Sequence, residues 1–170
     1  MGKPANFAGF ILYRIYYEDR IVYIGRTMQP LQNRIRGHLF KRPLHREIDI
    51  DKVTRIEYAI LPSQADMYLY EIYLINLWKP ALNKDDKAAD DLTITLPEVE
   101  WKKFTTPLWC KWQSIIHEND IRYRNEKELK LQHFELQKEM RAKFRNGEIS
   151  RIEYEKFIET LFANNEGNIF

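Results

Sequence analysis

Tyr13 and Tyr23 stand ten residues apart near the start of the chain, and Arg34 and His38 follow, four residues apart. These side-chain types suit the hydrolysis of a phosphodiester. An activated water must attack phosphorus in line while positive charge neutralises the phosphate and the leaving oxygen. A guanidinium can chelate two phosphate oxygens, where an ammonium gives only a point charge, so Arg34 is the candidate clamp. A free phenol titrates at about 10, so a tyrosine that removes a proton requires positive charge beside it, and Arg26 is close in sequence to Tyr23. His38 is placed to hold a tyrosine or to assist proton transfer. Each residue also has an ordinary reading. Tyrosines are common strand aromatics, Arg34 could form a surface ion pair, and His38 could face solvent on its helix.

The elements that must position these groups can be read from periodicity. Ile11 to Tyr17 and Ile21 to Gly25 alternate apolar and polar around Glu18-Asp19-Arg20, which predicts a β-hairpin with a charged turn. Alternation puts Tyr13, Ile15 and Tyr17 on one face and Arg14 and Tyr16 on the other. Leu31, Ile35 and Leu39 are spaced four apart and make one helical face, with Pro30 in the first turn. Arg34 and His38 share a side of that helix. Val53 to Leu61 reads as a third strand ended by Pro62. Ser63 caps a helix from about Gln64 to Trp78, with Asp66 three residues on and Pro80 ending it.

In this order the residues resemble the GIY-YIG nuclease family. Ile11-Leu12-Tyr13 fills the first half of the signature, and nine residues separate it from an intact Tyr23-Ile24-Gly25. Thr27, then Leu31, Arg34 and His38, match the following helix. Glu71, Leu74-Ile75, Pro80 and Asn83 match the family's helix with a metal-binding glutamate and a Pro-x-x-Asn tail. The departure is Ile11, where many members carry Gly. The resemblance implies a small three-stranded, mainly antiparallel sheet flanked by helices over residues 9–84, an α/β (α+β) nuclease fold. It implies a metal-dependent DNA endonuclease in which one tyrosine is the general base and the second orients water or phosphate. Which of Tyr13 and Tyr23 has which role stays open. Glu71 would hold one Mg2+ or Mn2+ ion, and a single carboxylate with waters suits such a cation. Gly25, Arg26 and Asn83 would support the site, Asn83 by bracing hydrogen bonds. The rival reading, a non-catalytic module that only binds nucleic acid or protein, has Ile11 in its favour and the retained Tyr13, Tyr23, Arg34, His38 and Glu71 against it.

Charge and composition bound the rest. The net charge of +2 is nearly neutral, but from Arg20 to Arg46 there are seven Lys or Arg residues and no acid. Beside a phosphate-cleaving motif this run reads as a phosphate-tracking surface, with Arg26, Arg36, Lys41, Arg42 and Arg46 as candidate backbone contacts on DNA. One cysteine, Cys110, excludes an internal disulfide and a zinc cluster, and its apolar neighbours predict burial. No apolar run of membrane-spanning length occurs, no signal peptide is evident, and a cytoplasmic protein is expected. Residues 41–51 read as a connection with room for a short helix, and 85–91 as a charged linker. In the extension, 92–170, Thr93 to Leu96 suggests a short strand and Pro97 to Phe104 a helix. A long helix from about Leu108 to Arg145 stops at Asn146-Gly147, and Ser150 with Glu153 caps a last one. Counted from Asp91, the extension holds thirteen basic and fourteen acidic residues, so it is not a basic arm as a whole. A protein-binding or homodimerising helical pair is the expectation, serving specificity or assembly.

Overall fold

A computed structural model describes residues 6–41 and 46–166. It holds four strands and four helices in the order β1 (Phe10–Tyr17), β2 (Arg20–Thr27), α1 (Leu31–Leu39), β3 (Val53–Leu61), α2 (Gln64–Trp78), β4 (Lys102–Lys103), α3 (Trp109–Arg145) and α4 (Arg151–Glu166). The sheet is antiparallel throughout, in the order β2-β1-β3-β4. The expected sheet of three strands is present, and the two-residue β4 adds a fourth.

The hairpin register places Tyr13 opposite Gly25 and Leu12 opposite Arg26. Glu18 takes a left-handed φ of 52° in the turn, and the Thr54 hydroxyl donates to its carbonyl at 2.8 Å. Both faces of β1 are buried, because helices cover both sides of the sheet. Ile11, Tyr13 and Ile15 join Leu31, Ile35 and Leu39 of α1 in one cluster. Leu12 and Ile24 join Met67, Leu74 and Ile75 of α2 in a second cluster on the opposite face. Thus α1 carries Arg34 and His38 to the face of Tyr13, while α2 lies across the sheet from them.

Local chemistry fixes the helix ends. Ser63 accepts from the Asp66 amide at 3.0 Å, as its spacing predicts. Pro30 sits just before α1, with the extended ψ of 128° that a cap residue needs. Past α2, Lys79 turns left-handed with a φ of 46° and Pro80 is buried. After α3, the Gly147 amide donates to Phe144 and the Glu148 amide to Lys143, a pair of bonds that ends the helix with Gly147 at a φ of 73°. Ser150 and Glu153 then form the reciprocal cap of α4.

The segment between α2 and α3 departs from its expected structure. Residues 93–96 form no strand, and 97–101 form no helix. Leu92, Leu96, Val99 and Trp101 lie against the α2-side cluster in an extended path that ends in β4. Trp101 is drawn to the sheet by Arg14, whose guanidinium stands 4.0 Å from its ring centroid. The charged stretch 85–91 is tied to α2. Buried Asn76 donates to the Asp86 carbonyl at 2.7 Å and accepts from the Ala88 amide at 2.6 Å. Residues 46–51 contain no helix, and Ile48 and Ile50 plug the α1-side cluster. Cys110 is exposed rather than buried: α3 turns Trp109 and Trp112 toward the core and leaves Cys110 outside.

The chain forms two compact units, one through His117 and one from Glu118. Trp112 and Ile116, in the first turns of α3, are buried in the α1-side cluster of the first unit. In the second unit Phe144 and Tyr154 stack with ring centroids 5.1 Å apart and Leu161 is buried. Among the described residues, no helix is long and apolar enough to cross a membrane.

Candidate active site

Four of the expected residues converge on the α1 side of the sheet. Tyr13 is fully buried, and its hydroxyl lies 2.7 Å from His38 Nε2 and 3.2 Å from Arg34 Nε. The Tyr23 ring sits beside both, with centroids 6.1 Å from Tyr13 and 5.0 Å edge-on to His38. Tyr23 is half-buried and Arg34 is largely exposed, so these two form the open side of the cluster.

Electrostatics assigns the protons. Burial pushes the Tyr13 phenol well above the usual tyrosine range, the neighbouring Tyr23 adds to this, and Arg34 opposes it. Tyr13 is therefore protonated at neutral pH. Burial, then the charges of Arg34 and Lys41, push His38 down to about 4, so its imidazole is neutral. Burial works against the charge of Arg34, but the Tyr13 and Tyr23 hydroxyls outweigh it and hold its pKa above the usual arginine value. Arg34 Nε–H donates to the Tyr13 oxygen, and the Tyr13 hydroxyl and the neutral His38 Nε2 share a hydrogen bond whose direction follows the imidazole tautomer. The guanidinium against the phenols is Arg34; Arg26, expected beside them from its sequence position, is engaged elsewhere.

Gly25 makes this packing possible. A Cβ there would stand 2.5 Å from the Tyr13 oxygen, 2.6 Å from its Cζ and 2.8 Å from Tyr23 Cε1. Two rings occupy the space a side chain would need.

Arg26 and Glu71 meet on the other face of β2. Glu71 is buried on α2 and forms an ion pair with Arg26, whose guanidinium also lies 4.1 Å from the Tyr68 ring centroid. Tyr68 was not singled out by sequence, although it lies one helical turn before Glu71. No direct contact joins this pair to the tyrosine cluster. They are linked through β2, where Tyr23 and Gly25 face one side and Ile24 and Arg26 the other. Asn83 braces that strand. Its side chain accepts from the Ile24 amide at 2.9 Å and donates to the Ile24 carbonyl at 2.8 Å, and the Leu82 amide donates to Val22.

The donor set bears on the expected cation. Among the described residues no three His, Cys, Asp or Glu side chains group as metal ligands. Glu71 is a lone buried carboxylate, which suits a hard ion that keeps most of its waters and does not suit a closed zinc site. An ion on Glu71 would have to share or displace Arg26.

The candidate backbone contacts are spread out. Arg36 is exposed, with its guanidinium 5.2 Å from the Phe40 ring centroid. Lys41 is exposed, and Arg46 donates to its carbonyl at 3.4 Å. Arg42 lies outside the described residues.

Comparison with known proteins places the same half of the chain. Residues 9–85 match the model of the GIY-YIG catalytic domain. The UvrABC system protein C of Borrelia duttonii (strain Ly) and that of Borrelia recurrentis (strain A1) are each 35% identical over 88 residues. That alignment covers 49% of this chain but 14% of each relative, so the chain spans about one seventh of the curated relatives it matches. A solved structure, the GIY-YIG N-terminal endonuclease domain of UvrC from Thermotoga maritima with magnesium, aligns with a TM-score of 0.40 at 19% identity, covering 46% of this chain and 88% of that one.

Proposed function

We propose that this chain, whose residues 9–85 form a GIY-YIG catalytic domain, is a metal-dependent DNA endonuclease that hydrolyses phosphodiester bonds. The observation that carries the proposal is the convergence of Tyr13, Tyr23, Arg34 and His38 at one hydrogen-bonded cluster with an exposed guanidinium.

Burial separates the two tyrosines. Tyr13 has no access to solvent, so it cannot touch an attacking water. Its part is to fix Arg34 and His38 relative to one another. Tyr23, half-exposed beside Arg34, is the phenol that reaches the reacting atoms and takes the proton from water. Arg34 receives the phosphate and stabilises the negative charge that builds on its oxygens. Tyr23 acts as its phenolate: water oxygen forms a bond to phosphorus as the water proton passes to the Tyr23 oxygen, and the bond to the leaving oxygen breaks, that oxygen keeping the electron pair and taking a proton from solvent. A divalent cation on Glu71 would supply further charge neutralisation at the phosphate. β2 is an edge strand, and Asn83 covers that edge only as far as Ile24. A phosphodiester lying across the edge near Arg26 meets Tyr23 and Arg34 on one face and Glu71 on the other.

The test is cleavage of single- and double-stranded DNA with Mg2+ or Mn2+, comparing the unaltered chain with Arg34→Ala and Glu71→Ala. Metal-dependent cutting that falls about 100- to 1000-fold in both variants is expected. Cutting that survives both substitutions overturns the assignment. One observation favours a binding-only module, the Arg26 guanidinium already seated on Glu71. That reading requires DNA binding without cutting across branched and sequence-diverse substrates.

A further inference from the structure

The second unit is balanced in charge, yet the charges are not mixed. Along α3, Arg124, Lys127, Leu131, Phe134, Lys138, Arg141 and Arg145 recur at alternating intervals of three and four. At about 100° per residue these seven positions fall within an arc of about 100°. All seven are exposed, Leu131 at 61% and Phe134 at 60%. Lys130 lies at the margin of the same arc. Glu135, Glu128 and Glu139 lie about 20°, 40° and 60° beyond its other margin, and Asp120 is the one acid within the arc. The stripe therefore reads basic, apolar, basic, over 22 residues or about 31 Å.

A helix face that merely meets water gains from opposite charges at i,i+3 and i,i+4. Here like charges adjoin at Arg124/Lys127, Lys138/Arg141 and Arg141/Arg145, which disfavours the helix in isolation. Among the described residues Lys127, Lys130, Arg141 and Arg145 form no ion pair, and Lys138 reaches Glu135 only at 3.9 Å. Arg124 contacts the Asp120 carbonyl at 3.4 Å. The row, in which only Lys138 has an ion-pair partner among the described residues, has the sign, and the span of nearly one duplex turn, that a polyphosphate backbone complements. Two apolar side chains among five basic ones are too few for a helix that lies in lipid, which presents a wide apolar face.

We infer that this face of α3 is a second nucleic-acid surface, which holds the phosphate backbone of duplex DNA. The inference rests on DNA being the substrate. It revises the expectation drawn from bulk charge, because net charge averages over two faces that a helix separates.

The test uses the full chain and a fluorescein-labelled duplex in EDTA, with anisotropy read from 50 to 200 mM salt. The triple substitution Lys127→Gln, Lys138→Gln and Arg141→Gln is compared with Glu128→Gln plus Glu139→Gln outside the stripe. Gln keeps helix propensity, and far-UV circular dichroism checks that α3 persists. The slope of log K against log salt should shrink by about 0.9 for each stripe charge removed, and binding at 100 mM salt should weaken at least tenfold. The control should bind no more weakly than the unaltered chain. If the triple variant loses helix, the single substitutions Lys127→Gln and Arg141→Gln must each lower the slope by about 0.9. An unchanged slope and affinity with helix retained overturns the inference. So does stripe-dependent binding to phosphatidylserine vesicles without stripe-dependent duplex binding. A parallel reaction with Mg2+ separates the two readings. An unaltered chain that cuts DNA while the stripe variants bind it normally defeats only the second surface. A chain that neither cuts nor binds DNA defeats the nuclease reading itself.

Discussion

Gly25→Ala tests the packing on which the proposed chemistry depends. Ala fits a strand, and replacing Gly limits the unfolded chain, which alone would add about 0.4–1 kcal/mol of stability. The structure opposes that gain. The new methyl would lie 2.5 Å from the Tyr13 oxygen and 2.8 Å from Tyr23 Cε1. Ordinary contact is roughly 3.5–4.0 Å, so both rings must retreat by about 1 Å. Tyr13 has no free space around it, and its hydroxyl is already fixed 2.7 Å from His38. Such a shift stretches that bond beyond hydrogen-bonding range. Overpacking costs about 1–3 kcal/mol and the lost bond about 1 kcal/mol, so the net loss is about 1–3 kcal/mol. Thermal denaturation should show a fall in Tm of several degrees. A displacement of about 1 Å at reacting groups costs about 100-fold in rate, so single-turnover cleavage of a plasmid should slow by that factor. Gly37→Ala is the matched control. It lies on α1, one residue before His38, with nothing within 4 Å of the new Cβ, and should leave cleavage intact while stabilising the helix by about 1 kcal/mol. Gly25→Ala protein that cuts within threefold of the unaltered rate, with unchanged Tm, would refute the close-packed tyrosine cluster.

Other expectations follow from the same geometry. His38 is pushed down to about 4 from an ordinary 6.5, so the unfolded chain binds more protons between those values. Stability from this group is complete above about pH 6.5 and is lost as pH falls toward 4, by about 3 kcal/mol in all. Urea denaturation of His38→Gln should show a flatter pH dependence over that window. Trp112→Ala should cost the first unit about 3–5 kcal/mol, since Trp112 is buried in the α1-side core. A chain ending at Asp91 should likewise fail to melt cooperatively in calorimetry, having lost Phe104, Trp109, Trp112 and Ile116 from that core. Asn83→Ala should weaken cleavage and speed amide exchange at Ile24, whose amide the Asn83 carbonyl accepts. Cys110, exposed on α3, should react promptly with a thiol reagent in the folded chain.

Periodicity made much of the first half legible. β3 and α2 match their expected ranges, because Pro62, Ser63 and Pro80 mark sharp ends in the sequence. The convergence of Tyr13, Tyr23, Arg34 and His38 was legible for the same reason, since strand and helix spacing aim them together. Their division of labour was not, because burial distinguishes the tyrosines and burial belongs to the packed molecule. The partner of Arg26 was hidden too: sequence adjacency to Tyr23 suggested the phenols, but pleating sends Arg26 to the opposite face, where Glu71 waits. Residues 92–101 depart from their expected structure because their apolar residues answer to a tertiary surface, the α2 flank and the Arg14 guanidinium, and have no helical or strand period of their own. Cys110 lies in an apolar run, yet one turn of α3 has an outside as well as an inside.

The Asn83 side chain has a consequence for assembly in the cell. Its amide group offers Ile24 a donor and an acceptor, as a neighbouring strand would, and Leu82 satisfies Val22 in the same way. β2 is the outer strand on that side of the sheet, so this short tail blocks the Val22–Ile24 stretch of the border from pairing with another chain. The closure joins residues 59 positions apart, and such long loops form after local hairpins do. A nascent chain in which α2 has not yet docked would expose an unpaired, apolar border on β2, the usual starting point for aggregation. Asn83 thus also sets how long the newly made protein stays vulnerable, and its loss should lower soluble yield even where the folded molecule survives.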